Sequence, residues 1–170
     1  AALAVSSQGI SFVPVDRDFR PLDKAISWLA SMATEEARRM EELFTSDGLY
    51  ARTGKRPSPA YTFPKILWLK KHRPAVYERA AFLLMGLDYI GARLTGCVRT
   101  DHTMASGTMG YHIHRLAWDA EILGACGIAA EKLPPVGTMG TPAGLLAGPV
   151  AAALGLPAGI PVILGGQDQK

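Results

Sequence analysis

The stretch Pro161-Val162-Ile163-Leu164-Gly165-Gly166-Gln167-Asp168 carries the clearest structural signal in the chain. Its apolar half predicts a buried strand, and the two glycines that follow allow the backbone to turn sharply and a ligand to approach closely. Asp168 therefore stands at the carboxyl end of a strand, where open α/β sheets place their ligand-binding groups. There it can act as a general base toward a substrate hydroxyl, or it can cap a following helix.

A second strand-to-loop transition lies at the other end of the chain. Residues 1–6 predict a short buried strand, and Ser6-Ser7-Gln8-Gly9 follows as a turn. Gln8 can hydrogen-bond a polyol, or the polar side chains of the turn can satisfy their own backbone. Residues 10–28 predict a hairpin that begins with the strand Phe12–Val15 and ends at Trp28. The tryptophans are predicted to be core residues, and Trp28, nearest the presumed cleft, is the one that could stack on a sugar face.

The middle of the chain is predicted to be helical. The predicted helices are Thr34 (as N-cap) to Phe44, one from Pro64, one from Pro74 that carries Leu83 and Leu84 on its apolar face, Asp88–Leu94, Asp119–Cys126 and Ala147–Leu154. Residues 45–62 and 137–148 are predicted to be loops because they are rich in Gly, Pro, Ser and Thr. Strands at both ends with a helical middle indicate an α/β domain with an inserted helical section.

Composition excludes several classes of protein. The chain has 170 residues, 48% hydrophobic and 19% charged residues and a net charge of +3, which indicates one folded domain. The basic residues of Lys65–Arg79 predict a solvated helix face rather than a nucleic-acid footprint. No apolar run approaches the length of a membrane span, about 20 residues.

Cysteine and histidine usage predicts neither a disulfide framework nor a metal site. Cys97 and Cys126 are far apart, which predicts two small buried side chains and a reducing, cytoplasmic setting. His112 and His114 have no third ligand at a supporting spacing, so no metal site is predicted. The segment Thr100–Met109, rich in small and hydroxylated residues, can line a cleft, but close packing of two layers is the favoured interpretation.

Taken in order, these segments resemble the FGGY family of carbohydrate kinases over essentially the whole chain. The matching segments are Gln8 with its hairpin strand and Asp16, Ala25–Trp28, Thr53-Gly54, Pro64–Lys70, Asp88-Tyr89-Ile90 with Leu94-Thr95-Gly96 (the "DYI…LTG" element), Thr100-Asp101 with Ala105-Ser106 (the "TD…AS" element), Trp118-Asp119, Leu133–Val136, Leu156–Gly159 and Gly165–Asp168. Each piece is short, and the specificity lies in the ordered set.

The resemblance implies an actin-like (ribonuclease H-like) fold and ATP-dependent, magnesium-dependent phosphorylation of a sugar or polyol hydroxyl. It implies that Asp168 is the catalytic base and that Gln8, Gly9 and Ile10 touch the substrate. Gly165 and Gly166 are the backbone positions at which it implies contact with the cofactor. A homodimer is possible for the intact protein, and no nucleic-acid or membrane partner is expected.

The resemblance also implies that residues 1–170 are part of an N-terminal, sugar-binding domain. Because both ends lie within apparent core strands, we expect phosphate-loop strands before Ala1 and an ATP-binding domain after Lys170. We expect ATP and magnesium to be bound mainly by those parts, and this chain alone to be inactive.

Two departures from the family pattern bear on specificity. Xylulokinases usually carry Met-His, and glycerol kinases Arg-Glu, where this chain has Gly9 and Ile10. The family often has Asp-x-Arg where this chain has Ala30 and Met32. These changes leave open a catalytically inactive relative that binds sugar and regulates a partner, and a scaffold domain without sugar is a third alternative.

Overall fold

A small mixed sheet joins the two ends of the chain. The computed structural model describes residues 1–169. In it, β1 (Leu3–Ala4) runs parallel to β9 (Pro161–Ile163), with Leu3 opposite Val162, and β8 (Pro142–Leu145) pairs antiparallel with the other edge of β9. The predicted strand before the glycines is confirmed. The predicted strand near the N-terminus is also present, but it is only two residues long and only partly buried.

The remaining elements lie between these strands. The helices within residues 1–169 are α1 (Thr34–Phe44), α2 (Ser46–Thr53), α3 (Thr62–His72), α4 (Pro74–Arg79), α5 (Gly86–Thr95), α6 (His102–Ser106), α7 (Ala120–Cys126) and α8 (Gly148–Leu154), with a 3-10 turn at Ala130–Lys132. The other strands are β2 (Phe12–Val15), β3 (Phe82–Met85), β4 (Thr100–Asp101), β5 (Tyr111–His112), β6 (Ala117–Trp118) and β7 (Val136–Gly137).

The predicted hairpin at residues 10–28 is confirmed in outline. Strand β2 is buried at all four positions, and isolated bridges join Phe12 to Ile26 and Val15 to Pro21. The other edge of β2 pairs antiparallel with β3, which brings Phe12 opposite Met85. The hairpin is thereby fixed against the segment that leads into α5.

The largest apolar cluster joins side chains of the helical section to side chains of the strands. It is built from fully buried side chains that include Met40, Leu49, Phe63 and Ile66. Burial of each such side chain contributes about 1.5–3 kcal/mol. The helical section is therefore packed onto the rest of the chain through an apolar core.

The prediction that residues 45–62 form a loop is wrong for the first half of that segment, because residues 46–53 form helix α2. The Thr45 hydroxyl caps this helix by accepting a hydrogen bond from the Gly48 N–H at 3.1 Å, and the helix ends at Gly54 in the left-handed conformation. Arg52 pairs with Asp119 at 3.1 Å, which docks α2 on the start of α7. The segment lacks an apolar repeat, so periodicity gave no sign of it.

Two further predictions of secondary structure are wrong. Leu83 and Leu84 belong to strand β3 rather than to the helix from Pro74, because that helix ends at Arg79. The segment predicted as a loop at 137–148 contains strand β8, which pairs with β9. Short apolar runs do not separate helix from strand when they are read by spacing alone.

Details at single residues also differ from the predictions. Thr34 is the first residue of α1 rather than its cap, since its hydroxyl donates to the Ser31 carbonyl. Asp119, in contrast, caps α7 as predicted by accepting from two backbone N–H groups. Cys97 is exposed rather than buried, and Cys126 is partly buried, with its thiol pKa raised to about 11 by burial. In residues 1–169, no helix combines the length and apolar character needed to cross a membrane.

Candidate functional site

The candidate site lies where the loops after β1 and β9 run side by side. Ser7 and Gln167 form a parallel bridge, and the Asp168 N–H donates to the Ser7 carbonyl at 3.1 Å. The Ser6 hydroxyl donates to the Gly166 carbonyl at 3.2 Å. Because parallel neighbours end at the same edge of a sheet, the two loops that the sequence singled out are brought together.

Close packing of backbone against backbone explains Gly165. A Cβ atom at Gly165 would lie 1.9 Å from the carbonyl oxygen of Val5. A Cβ at Gly166 would lie 2.9 Å from the sulfur of Met139 and 3.0 Å from the Thr103 hydroxyl. Both glycines therefore have a packing requirement, whatever ligand approaches them.

The "TD…AS" element is hydrogen-bonded to the loop that carries Asp168. Asp101 is fully buried and accepts hydrogen bonds from the Thr103 N–H and hydroxyl, both at 2.8 Å, and from the Met104 N–H at 3.0 Å. The Thr103 hydroxyl in turn accepts from the Gln167 N–H at 2.8 Å. The packing interpretation of this segment is thus correct, and the packing positions the residue just before Asp168. Sequence reasoning did not identify Thr103 as a supporting residue.

A second buried carboxyl group, that of Asp88, lies near Asp101. Asp88 Oδ2 accepts from the Met85 N–H at 2.9 Å and closes the first turn of α5. Burial, with a smaller contribution from the nearby Asp101 carboxylate, raises the pKa of Asp88 to about 7, although the hydrogen bond from the Met85 N–H acts in the opposite direction. Asp88 is therefore a structural group, fully buried, with a titration close to neutral pH.

A buried lysine anchors the segment that carries Trp28. The side chain of Lys65 is fully buried and donates to the Ser27 carbonyl at 2.7 Å and to the Ala60 carbonyl at 2.6 Å. Burial lowers the pKa of Lys65 to about 8. The prediction that Lys65 belongs to a solvated helix face is wrong, because its ammonium group is used to hold two loops together.

Serine and threonine side chains connect Trp28 to the loop that carries Gln8, Gly9 and Ile10. The main-chain N–H of Ser11 donates to the Gly9 carbonyl at 2.8 Å. The Ser11 hydroxyl accepts from the main-chain N–H of Trp28 at 2.9 Å. The Thr62 hydroxyl donates to the Ile10 carbonyl at 2.8 Å. The loop after β1, the end of the hairpin and the start of α3 therefore form one connected unit.

The predicted site residues differ in exposure. Gln8 and Asp168 are exposed, Gly9 is buried, and Ile10 is partly buried with a positive φ of 73°. The Trp28 side chain is 46% exposed, so the prediction that all three tryptophans are core residues is wrong for Trp28. Within the described residues, no group of three or more His, Cys, Asp or Glu side chains is arranged to hold a metal ion.

Comparison with known proteins agrees with this geometry. The model of the N-terminal domain of the FGGY family of carbohydrate kinases matches residues 1–170. Xylulose kinase from Bacillus subtilis (strain 168) is 35% identical over 98% of this chain and 33% of its own length. L-fuculokinase from Escherichia coli (strain K12) is 34% identical over 99% of this chain and 36% of its own length.

A solved structure extends the likeness to three dimensions. The crystal structure of gluconate kinase from Lactobacillus acidophilus matches with a TM-score of 0.91 and 30% identity, covering 99% of this chain and 34% of that chain. The chain thus spans about a third of the length of the relatives it matches. The predicted α/β, actin-like (ribonuclease H-like) lobe with a helical insertion is confirmed. On this match of sequence and fold, the chain belongs to the FGGY family of carbohydrate kinases.

Proposed function

We propose that the protein containing this chain transfers a phosphoryl group from ATP to a hydroxyl of a sugar or polyol. In this proposal the chain supplies the substrate-binding lobe and the catalytic base. The observation that carries it is the direct link between Ser7 and Asp168, which sets the Gln8 loop beside an exposed carboxylate. Family membership and the carbohydrate kinases among its relatives support the same reaction class.

Asp168 is the proposed catalytic base. Its carboxylate accepts the proton of the attacking hydroxyl as that oxygen bonds to the terminal phosphorus of ATP and the bond to the departing ADP oxygen breaks. The main chain of Asp168 is fixed through Ser7, and the residue before it is fixed through Thr103. This support restricts the position of the carboxylate relative to the substrate loop, and such positioning accounts for much of the rate of a phosphoryl transfer.

The remaining predicted residues are proposed to bind the sugar. The exposed carboxamide of Gln8 is suited to hydrogen-bond hydroxyl groups. Gly9 and Ile10 form the turn against which the sugar would lie, and the half-exposed ring of Trp28 offers an apolar face for a sugar ring. Gly9, Ile10 and Trp28 belong to the unit held together by Ser11 and Thr62.

ATP is the proposed phosphoryl donor, and magnesium would neutralise charge on its phosphates. Because the chain spans about a third of the length of its relatives, we propose that both are bound mainly by parts of the protein outside this chain. Gly165 and Gly166 are proposed as the points where the cofactor comes close to this lobe. A cytoplasmic location and a homodimer of the intact protein stay predictions.

The relatives do not point to a single sugar, because their names specify xylulose, fuculose and gluconate. Gly9 and Ile10 differ from the residues usual in xylulokinases and glycerol kinases, so neither substrate is favoured. A surface pocket with a volume of about 530 Å³ is lined in part by Ala30 and Met32, which stand where the family often has Asp-x-Arg. The loss of those polar groups is proposed to alter specificity.

The full-length protein tests this proposal. ADP release with magnesium-ATP would be followed against ketoses, aldoses and polyols for the wild type, Asp168→Asn and Asp47→Asn. Asp47 is a matched control because it is an exposed carboxylate on α2. We expect turnover with one sugar class, a loss of about 100- to 10,000-fold in kcat for Asp168→Asn, and wild-type rates for Asp47→Asn.

Other outcomes separate the alternatives. Sugar binding detected by calorimetry without ADP release would indicate the inactive regulatory relative. Neither binding nor turnover would indicate a scaffold domain. Full activity of Asp168→Asn would show that another group is the base.

A further inference from the structure

Gln167, the residue before the proposed base, has a main chain that is fixed on two sides. Its N–H donates to the Thr103 hydroxyl at 2.8 Å, and the residue bridges to Ser7 of the neighbouring loop. Thr103 is itself held by the buried carboxylate of Asp101. The direction in which the Gln167 side chain leaves the backbone is therefore set by the fold.

The Gln167 side chain occupies space that a side chain at position 9 would need. A Cβ atom at Gly9 would lie 2.6 Å from Cδ, 2.7 Å from Oε1 and 2.9 Å from Nε2 of Gln167. A Cβ at Gly107 would lie 3.4 Å from Gln167 Oε1 and 3.6 Å from Ile10. The carboxamide is thus inserted between two glycines, beside residues proposed to touch the sugar.

The amide oxygen of this carboxamide has no partner among the described residues. Oε1 is buried and has no hydrogen-bond partner in residues 1–169. Buried polar atoms are normally hydrogen-bonded, so a buried amide oxygen without a partner indicates a group that pairs with a ligand.

We propose that Gln167 is a specificity-determining residue whose carboxamide forms a hydrogen bond with a sugar hydroxyl near the one that Asp168 deprotonates. Gly9 is glycine because Gln167 fills the volume beside it. This inference rests on the proposed kinase function. It identifies the side chain that would recognise one hydroxyl group of the substrate.

The first test uses the full-length protein, its best sugar and the monodeoxy analogues of that sugar. Gln167→Met keeps the side-chain volume and removes the amide. For one analogue, we expect the wild type to show a kcat/KM about tenfold or more below that of the parent sugar. In Gln167→Met, the parent sugar should fall to the level of that analogue, and discrimination against the other analogues should stay as in the wild type.

The second test measures packing without relying on turnover. Gly9→Ala should lower the thermal midpoint modestly in the Gln167 background, because the end of the Gln167 side chain has to shift, and it should lower the midpoint less in a Gln167→Ala background, where the clash is removed. An equal loss in both backgrounds would overturn the arrangement on which the inference rests.

The two proposals fail in different ways. If Asp168→Asn abolishes turnover but Gln167→Met discriminates against every monodeoxy analogue as the wild type does, only the role of Gln167 is overturned. If the wild type phosphorylates no sugar, the proposed function and the inference are both overturned.

Discussion

The main-chain N–H of Asp168 donates to the main-chain carbonyl of Ser7 across 3.1 Å, although the two residues come from opposite ends of the chain. This hydrogen bond involves no side chain, so the alignment of the two loops depends on the close approach of β1 and β9. Substitutions that separate these strand ends should therefore affect the site as strongly as changes of the site residues themselves.

Gly165→Ala should disrupt this approach, because its new methyl group would lie 1.9 Å from the Val5 carbonyl oxygen. We expect a loss of stability of about 1–3 kcal/mol or more together with a loss of turnover. Gly91→Ala is the matched control, since Gly91 lies in α5 with open space around its Cβ position. The control should be neutral or stabilising by up to about 1 kcal/mol. Thermal unfolding and ADP release of both full-length variants check this, and equal behaviour of the two would contradict it.

Thr103→Val should loosen the loop that carries Asp168. The change preserves shape but leaves the Gln167 N–H without its acceptor and removes one donor to Asp101. We expect a loss of about 1–3 kcal/mol in stability and a fall in kcat that exceeds any rise in KM for ATP. Thr103→Ser keeps the hydroxyl and should stay close to the wild type in both measurements. If Ser and Val variants behave alike, the hydroxyl is not what supports the loop.

Asp88 should make stability depend on pH in the acid to neutral range. Its pKa rises from 3.8 to about 7 on folding, chiefly through burial. Between these values the folded state holds a proton that the unfolded state has lost, so stability falls as pH rises from about 4 to 7. The contribution is about 1.4 kcal/mol per pH unit at most.

Asp88→Asn should remove this contribution while keeping an acceptor for the Met85 N–H. The difference in thermal midpoint between wild type and variant should therefore shift in favour of the variant as pH increases from 4 to 7. A difference that is constant with pH would show that Asp88 does not titrate in this range.

Lys65 should produce the opposite dependence at alkaline pH. Its pKa falls from 10.5 to about 8 on folding because the ammonium group is buried. Between about pH 8 and 10.5 the unfolded state binds more protons than the folded state, so this group makes stability rise with pH. Lys65→Met should abolish that rise and lower stability at pH 7, since two carbonyl groups lose their donor. Thermal midpoints of both proteins from pH 7 to 10 measure the difference.

Much of the fold could be predicted from local sequence. The strand before Gly165 and the helix capped by Asp119 were predicted because an apolar run and a capping residue are local signals. Helix α2 was missed because only Leu49 and Thr53 of its eight residues are buried, which leaves no apolar repeat to recognise. Strand β3 was missed because Leu83 and Leu84 continue the helical spacing of the preceding segment.

The site could be predicted only in part. Gln8 and Asp168 follow apolar runs, so each could be located from its own segment. The contact between Thr103 and Gln167 spans 64 residues of sequence, and no local pattern reports it. Lys65 lies in a run of basic residues, and charge alone does not distinguish a lysine that is exposed from one that is buried against carbonyl groups.

The two hydrogen bonds made by the Lys65 ammonium have a consequence for how the protein opens. One of them ties helix α3 to Ser27, the residue next to Trp28, and the other to Ala60, while the Thr62 hydroxyl ties the start of the same helix to Ile10. Local unfolding of α3 would release both loops at once. Helix α3 and the two loops therefore behave as a single cooperative unit, in which a destabilising change far from the proposed sugar site would lower the fraction of molecules in which that site is formed.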